Sequence, residues 1–400
     1  MTTVDEAMAA VDASVRPLAT EVVAVVDAAG RTLAAPVSSG HPLPRFDQSA
    51  VDGYAVRHTD IAGAPVTLPV GDVVAAAHQP SRPVLASGTA TRIFTGGLVP
   101  EGADTIVRQE LTTADAEAGT VTVNAAVEPG TDLRREGEEL PTGSLVATAG
   151  QEVTPGLLAS LLVAGAYEAT VARRPRVAVL VTGDELVPPG QPLGLGQTPD
   201  TNGPMIRATL AGWGVTDLTV AHVPDRRDAV VDALATAFAS ADLVVTSGGV
   251  SVGDFDFVPD AAKEVGAERL FWKVAQRPGG PLYVARHGNS HLFGLPGNPA
   301  AVLVNLHVYV RRALDRLAGL DPDARWRTGV PVEPPHRMAD RTFWLRASVT
   351  TDDTGRTVLA PLGRQASHML SNLSDATAIA RVPASSEDAP TGTLRWLPLP

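Results

Sequence analysis

Three glycines, three hydroxyls and two carboxylates fall within the eleven residues Thr246-Ser247-Gly248-Gly249-Val250-Ser251-Val252-Gly253-Asp254-Phe255-Asp256. Glycine at this density lets backbone N–H groups converge on an anion, because no Cβ stands in the way. The two aspartates add the means to handle a divalent cation or a proton beside that anion. Two further carboxylates have a similar setting: Glu185 in Thr182-Gly183-Asp184-Glu185-Leu186, and Asp225 just ahead of a helical stretch. Glu185, Asp225 and Asp256 come from three strand ends of one inferred sheet, and converging oxygen ligands of this kind suit Mg²⁺. Each also has a plainer reading. Glu185 reads as a loop carboxylate, Asp225 as a helix N-cap with Asp228 three residues on, and Asp254 and Asp256 as turn residues. Lys273 and Arg277 supply cations near the same inferred face, although a lone Lys is ordinarily a solvated charge. Pro296-Gly297-Asn298-Pro299 reads first as a helix start, with N–H groups placed where anions are attracted.

The elements that must position these residues are legible between 175 and 320. Arg176–Val181 is a continuous apolar run, as expected of a parallel strand covered on both faces. Helix, strand, helix and strand follow: 203–213, 216–223, 225–240 and 242–245. A strand at 291–295 then leads through Asn298 as N-cap and Pro299 into a long helix to Leu320. This alternation predicts a doubly wound α/β domain, with ligands held outside the carboxyl ends of its strands. All three Gly-rich loops fall at such ends. Before this unit, Thr3 with Glu6 signals a capped helix bearing Val4, Met8, Val11 and Val15. Residues 47–145 alternate short apolar runs with Gly, Pro and Asp, which predicts a small inserted β domain. Thr154-Pro155 starts a helix with Leu157, Leu158, Leu161 and Leu162. The expected division is 1–46 with 146–174 as a discontinuous N-terminal domain, 47–145 as the insert, 175–322 as the α/β domain, and 323–400 as a C-terminal β domain.

Composition limits the function classes. A 400-residue chain with 44% hydrophobic residues has material for several cores. The formal charge of −12 opposes nonspecific nucleic-acid binding, and four Tyr with eight Phe are few for base stacking. The absence of Cys removes disulfides, thiolate metal sites and a thiol nucleophile. No apolar run is long enough to span a membrane, and no basic-then-apolar leader opens the sequence. A soluble, cytoplasmic protein is expected.

Five motifs occur together: Ser49-Ala50-Val51-Asp52-Gly53-Tyr54-Ala55-Val56-Arg57, Phe94-Thr95-Gly96-Gly97, Thr182-Gly183-Asp184-Glu185-Leu186, Ser247-Gly248-Gly249-Val250-Ser251-Val252-Gly253 and Gly294-Leu295-Pro296-Gly297-Asn298-Pro299. In these, in their order and over nearly its whole length, the chain resembles the molybdopterin molybdenumtransferase family, which includes the gephyrin E domain. The resemblance implies a four-domain subunit in an elongated homodimer. It implies insertion of molybdate into adenylylated molybdopterin, with Mg²⁺, releasing AMP and the molybdenum cofactor. A molybdopterin adenylyltransferase and apo-molybdoenzymes are the implied protein partners; no membrane or nucleic acid is.

By the same resemblance Glu185, Asp225 and Asp256 serve metal and diphosphate, and Lys273 and Arg277 hold phosphate or molybdate oxygens. Asp52 and Thr95 reach the partner subunit's site, while Arg346 and Ser367 look like the molybdate-side residues. Ser247, Gly248, Gly249, Ser251 and Gly253, with Pro296, Gly297, Asn298 and Pro299, would cradle the pterin's phosphate side. The chain departs from the family at Arg277-Pro278-Gly279-Gly280-Pro281, where Lys-Pro-Gly-Lys-Pro is common. Arg277 trades a point cation for a planar fork, and Gly280 removes a cation. A paralogue acting as an adenylyltransferase, or as a noncatalytic cofactor carrier or scaffold, is the alternative.

Overall fold

The computed structural model describes residues 1–251, 256–387 and 392–399. Gly253 and Asp254 of the glycine loop lie outside the described residues.

The α/β unit is built on a six-stranded sheet in the order Asp217–Val223, Arg176–Thr182, Leu243–Ser247, Ser290–Leu295, Tyr283–His287, Glu268–Trp272. The first four strands are parallel, and Tyr283–His287 runs antiparallel to both of its neighbours. Arg176–Thr182 and Leu243–Ser247 are buried along nearly their whole length, so apolar residues on both strand faces are satisfied by covering helices. On one face Arg227–Ser240 and Val258–Glu264 pack through Val230, Leu234, Phe238, Val258 and Ala261. On the other, Asn202–Gly212 and the Pro299–Leu317 region pack through Ile206, Leu210, Val302 and Val308. The long helix expected from Asn298 is continuous but not uniform. Its middle, Leu306–Val310, widens into a π turn.

Segments on either side of residues 47–145 come together. Thr20–Ala24 pairs antiparallel with Glu168–Ala172, and Val37–Ser38 pairs with Leu145–Ala147. Val25, Leu33, Val153, Leu161 and Val171 form the core beneath them. The first helix, Val4–Ser14, does not join that core. It has the expected capping box, with Thr3 N–H on Glu6 and Glu6 N–H on Thr3 Oγ1. Its stripe of Val4, Met8, Val11 and Val15 packs into the α/β core with Val177, Val179, Phe293 and Leu314. An apolar stripe goes to the nearest large uncovered face, and the wide sheet offers more than the two-stranded ribbons do.

The insert carries its own six-stranded sheet: Thr105–Arg108, Gly53–Val56, Ala90–Ile93, Val66–Val74, Thr120–Val123, Thr112–Asp115. In the C-terminal unit Thr342–Thr351 pairs with both Thr357–Pro361 and Ala378–Val382, closing the strands into a barrel. A sixth short strand, Gln276–Arg277, comes from the α/β unit and adds in parallel to Thr342–Thr351. Among the described residues no helix is long and apolar enough to cross a membrane.

Candidate active site

A cleft of about 670 Å³ opens where the α/β strand ends meet the C-terminal barrel. Its walls include Glu185, Gly249, Ser251, Asp256, Lys273, Arg277, Pro296, Gly297, Asn298, Arg341 and Ser367. Residues that are widely separated in sequence therefore place carboxylates, cations and backbone loops around one space.

The glycine loop is built as its composition requires. Gly248 and Gly249 have φ of +94° and +69°. A Cβ on Gly248 would sit 2.7 Å from Thr182 Oγ1 and 2.8 Å from the Thr182 carbonyl oxygen. No L side chain fits such a position without displacing the neighbouring strand. Ser247 is buried and does not line the cleft; its Oγ accepts from Asn202 Nδ2 at 2.8 Å. The Gly248 N–H is likewise used internally, on the Leu295 carbonyl. Gly249, Val250, Ser251 and Asp256 are the described residues of this loop that line the space. Asn298 caps no N–H of the helix it precedes. Its Nδ2 donates instead to Ser367 Oγ at 3.3 Å, joining the α/β unit to a C-terminal loop.

Asn202 is a positioning residue that sequence reasoning missed. Besides Ser247, its Nδ2 donates to the Gly297 carbonyl at 2.7 Å, so one amide ties two of the ligand loops together. The only signal was an Asn at the start of a helix, where a cap is the ordinary reading. Asn202→Ala is expected to cost about 1–2 kcal/mol and to speed amide exchange at Gly248; protection unchanged from the parent protein would exclude that role.

The helix expected from Asp225 begins at Arg227, and Arg226 is its N-cap, so Asp225 caps nothing. Instead Asp225 and Asp184 exchange bonds: Asp184 N–H donates to Asp225 Oδ2 at 3.2 Å, and Asp225 N–H to Asp184 Oδ1 at 3.1 Å. Burial raises the Asp225 pKa, and the charges of Asp184, Glu185 and Asp256 raise it further. Glu185, Asp225 and Asp256 thus share one electrostatic neighbourhood. Among the described residues no group of three or more His, Asp or Glu side chains is placed to hold a metal ion. Mg²⁺ does not require such a group, because it binds through one or two carboxylates and takes its other oxygens from phosphate and water.

Lys273 has φ of +68°, in the left-handed region that a side chain seldom occupies. Its N–H donates to the Leu282 carbonyl and its ammonium lies 4.8 Å from the Trp272 ring centroid. Arg346 is fully buried rather than in the cleft. Its guanidinium donates to Asn372 Oδ1 at 3.1 Å and to the Arg364 carbonyl at 2.8 Å, which fixes the loop carrying Ser367. Desolvation lowers its pKa. Asp52 and Thr95 face each other on the insert, away from the cleft. Asp52 Oδ1 accepts from the Thr95 N–H and from its hydroxyl, each at 2.8 Å, so the Asp52 side chain braces the loop that carries Thr95. Arg341, which no motif marked, brings a further cation from the barrel to the cleft.

A mostly parallel α/β sheet with acidic and basic side chains gathered beyond its strand ends defines a ligand-binding protein of the multidomain α/β class. Comparison with known proteins is more specific. Residues 2–165 match the family model "MoeA N-terminal region (domain I and II)", residues 178–316 "Probable molybdopterin binding domain", and residues 333–394 "MoeA C-terminal region (domain IV)". The chain is 35% identical over 396 residues to the molybdopterin molybdenumtransferase of Bacillus subtilis, covering 97% of this chain and 92% of that one. It is 35% identical over 365 residues to the enzyme of the same name from Haemophilus influenzae, covering 89% and 87%. The crystal structure of the molybdopterin biosynthesis MoeA protein from Pyrococcus horikoshii superposes over 100% of this chain and 99% of that one. Its TM-score is 0.77 at 25% identity. The chain belongs to the molybdopterin molybdenumtransferase family; it is an enzyme of that kind, with a role in molybdenum cofactor biosynthesis.

Proposed function

We propose that the protein inserts molybdate into adenylylated molybdopterin, releasing AMP and the finished cofactor with Mg²⁺ as the divalent cation. The supporting observation is the cleft itself, which sets the carboxylates Glu185 and Asp256 against the cations Lys273, Arg277 and Arg341. Cleaving a phosphoanhydride requires developing negative charge to be neutralised without losing the phosphates to solvent. Bound Mg²⁺ would supply Lewis-acid neutralisation, held by Asp256 and Glu185 with Asp225 behind them. Gly249, Ser251 and Gly297 leave room for the diphosphate close to the backbone. Lys273 and Arg277 hold oxyanion oxygens, and Ser367, fixed through Arg346 and Asn298, donates to molybdate. The sulfur ligands of the metal come from the substrate dithiolene, in keeping with a chain that has no Cys. Asp52 and Thr95 lie on the insert, and we assign them to the site of a second subunit in a homodimer. A cytoplasmic adenylyltransferase would supply the substrate, and apo-molybdoenzymes would accept the product.

The test combines purified protein, adenylylated molybdopterin, Mg²⁺ and molybdate. AMP release together with activation of an apo-molybdoenzyme is expected. Tight molybdopterin binding without AMP would reassign the protein as a carrier.

A further inference from the structure

Gln276, in the wall of the cleft, forms four side-chain hydrogen bonds, and all of their partners are buried. Its Oε1 accepts from Tyr309 Oη at 2.7 Å and from Trp344 Nε1 at 2.9 Å. Its Nε2 donates to Asn305 Oδ1 at 2.8 Å and to the Gly279 carbonyl at 3.0 Å. Asn305 Nδ2 completes the circuit on the same Gly279 carbonyl at 3.2 Å. Asn305, Tyr309 and Trp344 are each 0% exposed and Gln276 is 3% exposed. Both lone pairs and both N–H groups of the Gln276 amide are therefore matched, the condition under which a buried polar network specifies one geometry instead of weakening the core.

The partners come from three places. Asn305 directly precedes the π turn in the long α/β helix and Tyr309 lies within it, and such wide turns recur at functional sites. Trp344 belongs to the C-terminal barrel. The backbone at 276–277 adds as a strand beside Thr342–Thr351, and Thr342 N–H donates to the Ala275 carbonyl. The loop so clamped carries Lys273 at one end and Arg277 in its middle. It has no slack at Gly279, where φ is +86° and a Cβ would lie 2.7 Å from Asn305 Oδ1.

We propose that Gln276 is a positioning residue: through this network it ties the C-terminal barrel to the cationic loop and sets Lys273 and Arg277 at the spacing that receives a tetrahedral oxyanion. The inference builds on the reading of the cleft as an oxyanion-binding site, and it adds that barrel residues with no contact to the ligand tune its affinity. Because Tyr309 and Trp344 act through one oxygen, losing Trp344 Nε1–H and losing the whole amide are not independent perturbations.

The experiment compares the unmodified protein with Gln276→Met, Trp344→Phe and the double variant. The dissociation constant for molybdate, with inorganic sulfate and phosphate as reference anions, is measured well below the melting temperature. In parallel, AMP release gives the molybdate KM and kcat. Gln276→Met is expected to weaken molybdate binding about tenfold, raising KM while kcat stays within about twofold. Trp344→Phe is expected to weaken it severalfold, and the double variant to be no weaker than Gln276→Met. Affinities unchanged in folded variants, independent losses that multiply in the double variant, or no oxyanion binding by the unmodified protein would each overturn the proposal. Oxyanion binding with this pattern but without AMP release would leave it standing and remove the transferase reading instead.

Discussion

Replacing Asp256 with Ala is expected to lower AMP release by about 100-fold to 1,000-fold, with circular dichroism and melting temperature close to those of the parent protein. The magnitude is that of removing one preorganised electrostatic group from a site where charge develops. Asp256 lines the cleft and acts on Asp225 by charge, so it belongs to the acidic cluster and not to the packing core. Losing a carboxylate from such a cluster lowers affinity for a divalent cation, so the deficit should shrink as Mg²⁺ is raised. A suitable control is Asp228→Ala. That carboxylate is exposed and pairs with Arg226 at 3.4 Å, and its loss should leave the rate unchanged. Equal losses in the two variants would mean that general negative charge matters, not a defined cation site. A wild-type rate in Asp256→Ala would remove the metal assignment.

The parts of this molecule that were legible in sequence share one property: their signal is local. Arg176–Thr182 and Leu243–Ser247 carry the unbroken apolar runs 177–181 and 243–245, and a buried parallel strand is the natural way to satisfy such runs. Gly248 stands where its Cβ would strike Thr182, so its composition and its geometry carry the same information. Thr3 with Glu6, and Thr154 with Pro155, are caps whose partners lie three residues away. The parts that were not legible depend on partners far along the chain. Asn202 meets Ser247 and Gly297, Gln276 meets Asn305 and Trp344, and Arg346 meets Asn372. Nothing in the immediate neighbourhood of a Gln or an Asn distinguishes a buried hub from a solvated side chain. Asp225 shows the converse case. A carboxylate two residues before a helix invites a cap, yet Asp225 Oδ2 and its backbone N–H bond to Asp184 instead. The first helix was legible as a helix but not in its destination, because an apolar stripe states that it needs a face without stating which.

The same dependence on distant partners sets the second large effect. Asp242→Asn is expected to lower the local stability of the junction between the N-terminal unit and the α/β sheet by about 2 kcal/mol at neutral pH. Asp242 ends the loop before Leu243–Ser247 and is nearly buried, at 7% exposure. Its Oδ2 and Oδ1 accept from Arg173 Nη1 and Nη2, both at 2.7 Å, and Oδ2 also accepts the Arg176 N–H at 2.8 Å. Arg173 in turn follows the strand Glu168–Ala172, and its N–H donates to the Ala19 carbonyl, so this carboxylate holds two units by one bidentate fork. Burial on its own would raise the Asp242 pKa. The Arg173 guanidinium and the Arg176 N–H overcome it and hold the pKa at about 2, below the ordinary 3.8. A carboxyl with its pKa depressed on folding contributes stability that is complete above the unfolded value, near 4, and is lost as the pH falls through about 2. A gap of that size is worth about 2 kcal/mol at neutral pH. Hydrogen exchange across Arg176–Thr182 should therefore quicken in Asp242→Asn at pH 7, and denaturant titrations should show the variant and parent converging as the pH is lowered toward 2. A difference that stays constant from pH 7 to pH 2 would show that the fork contributes by shape alone and that its charge contributes nothing.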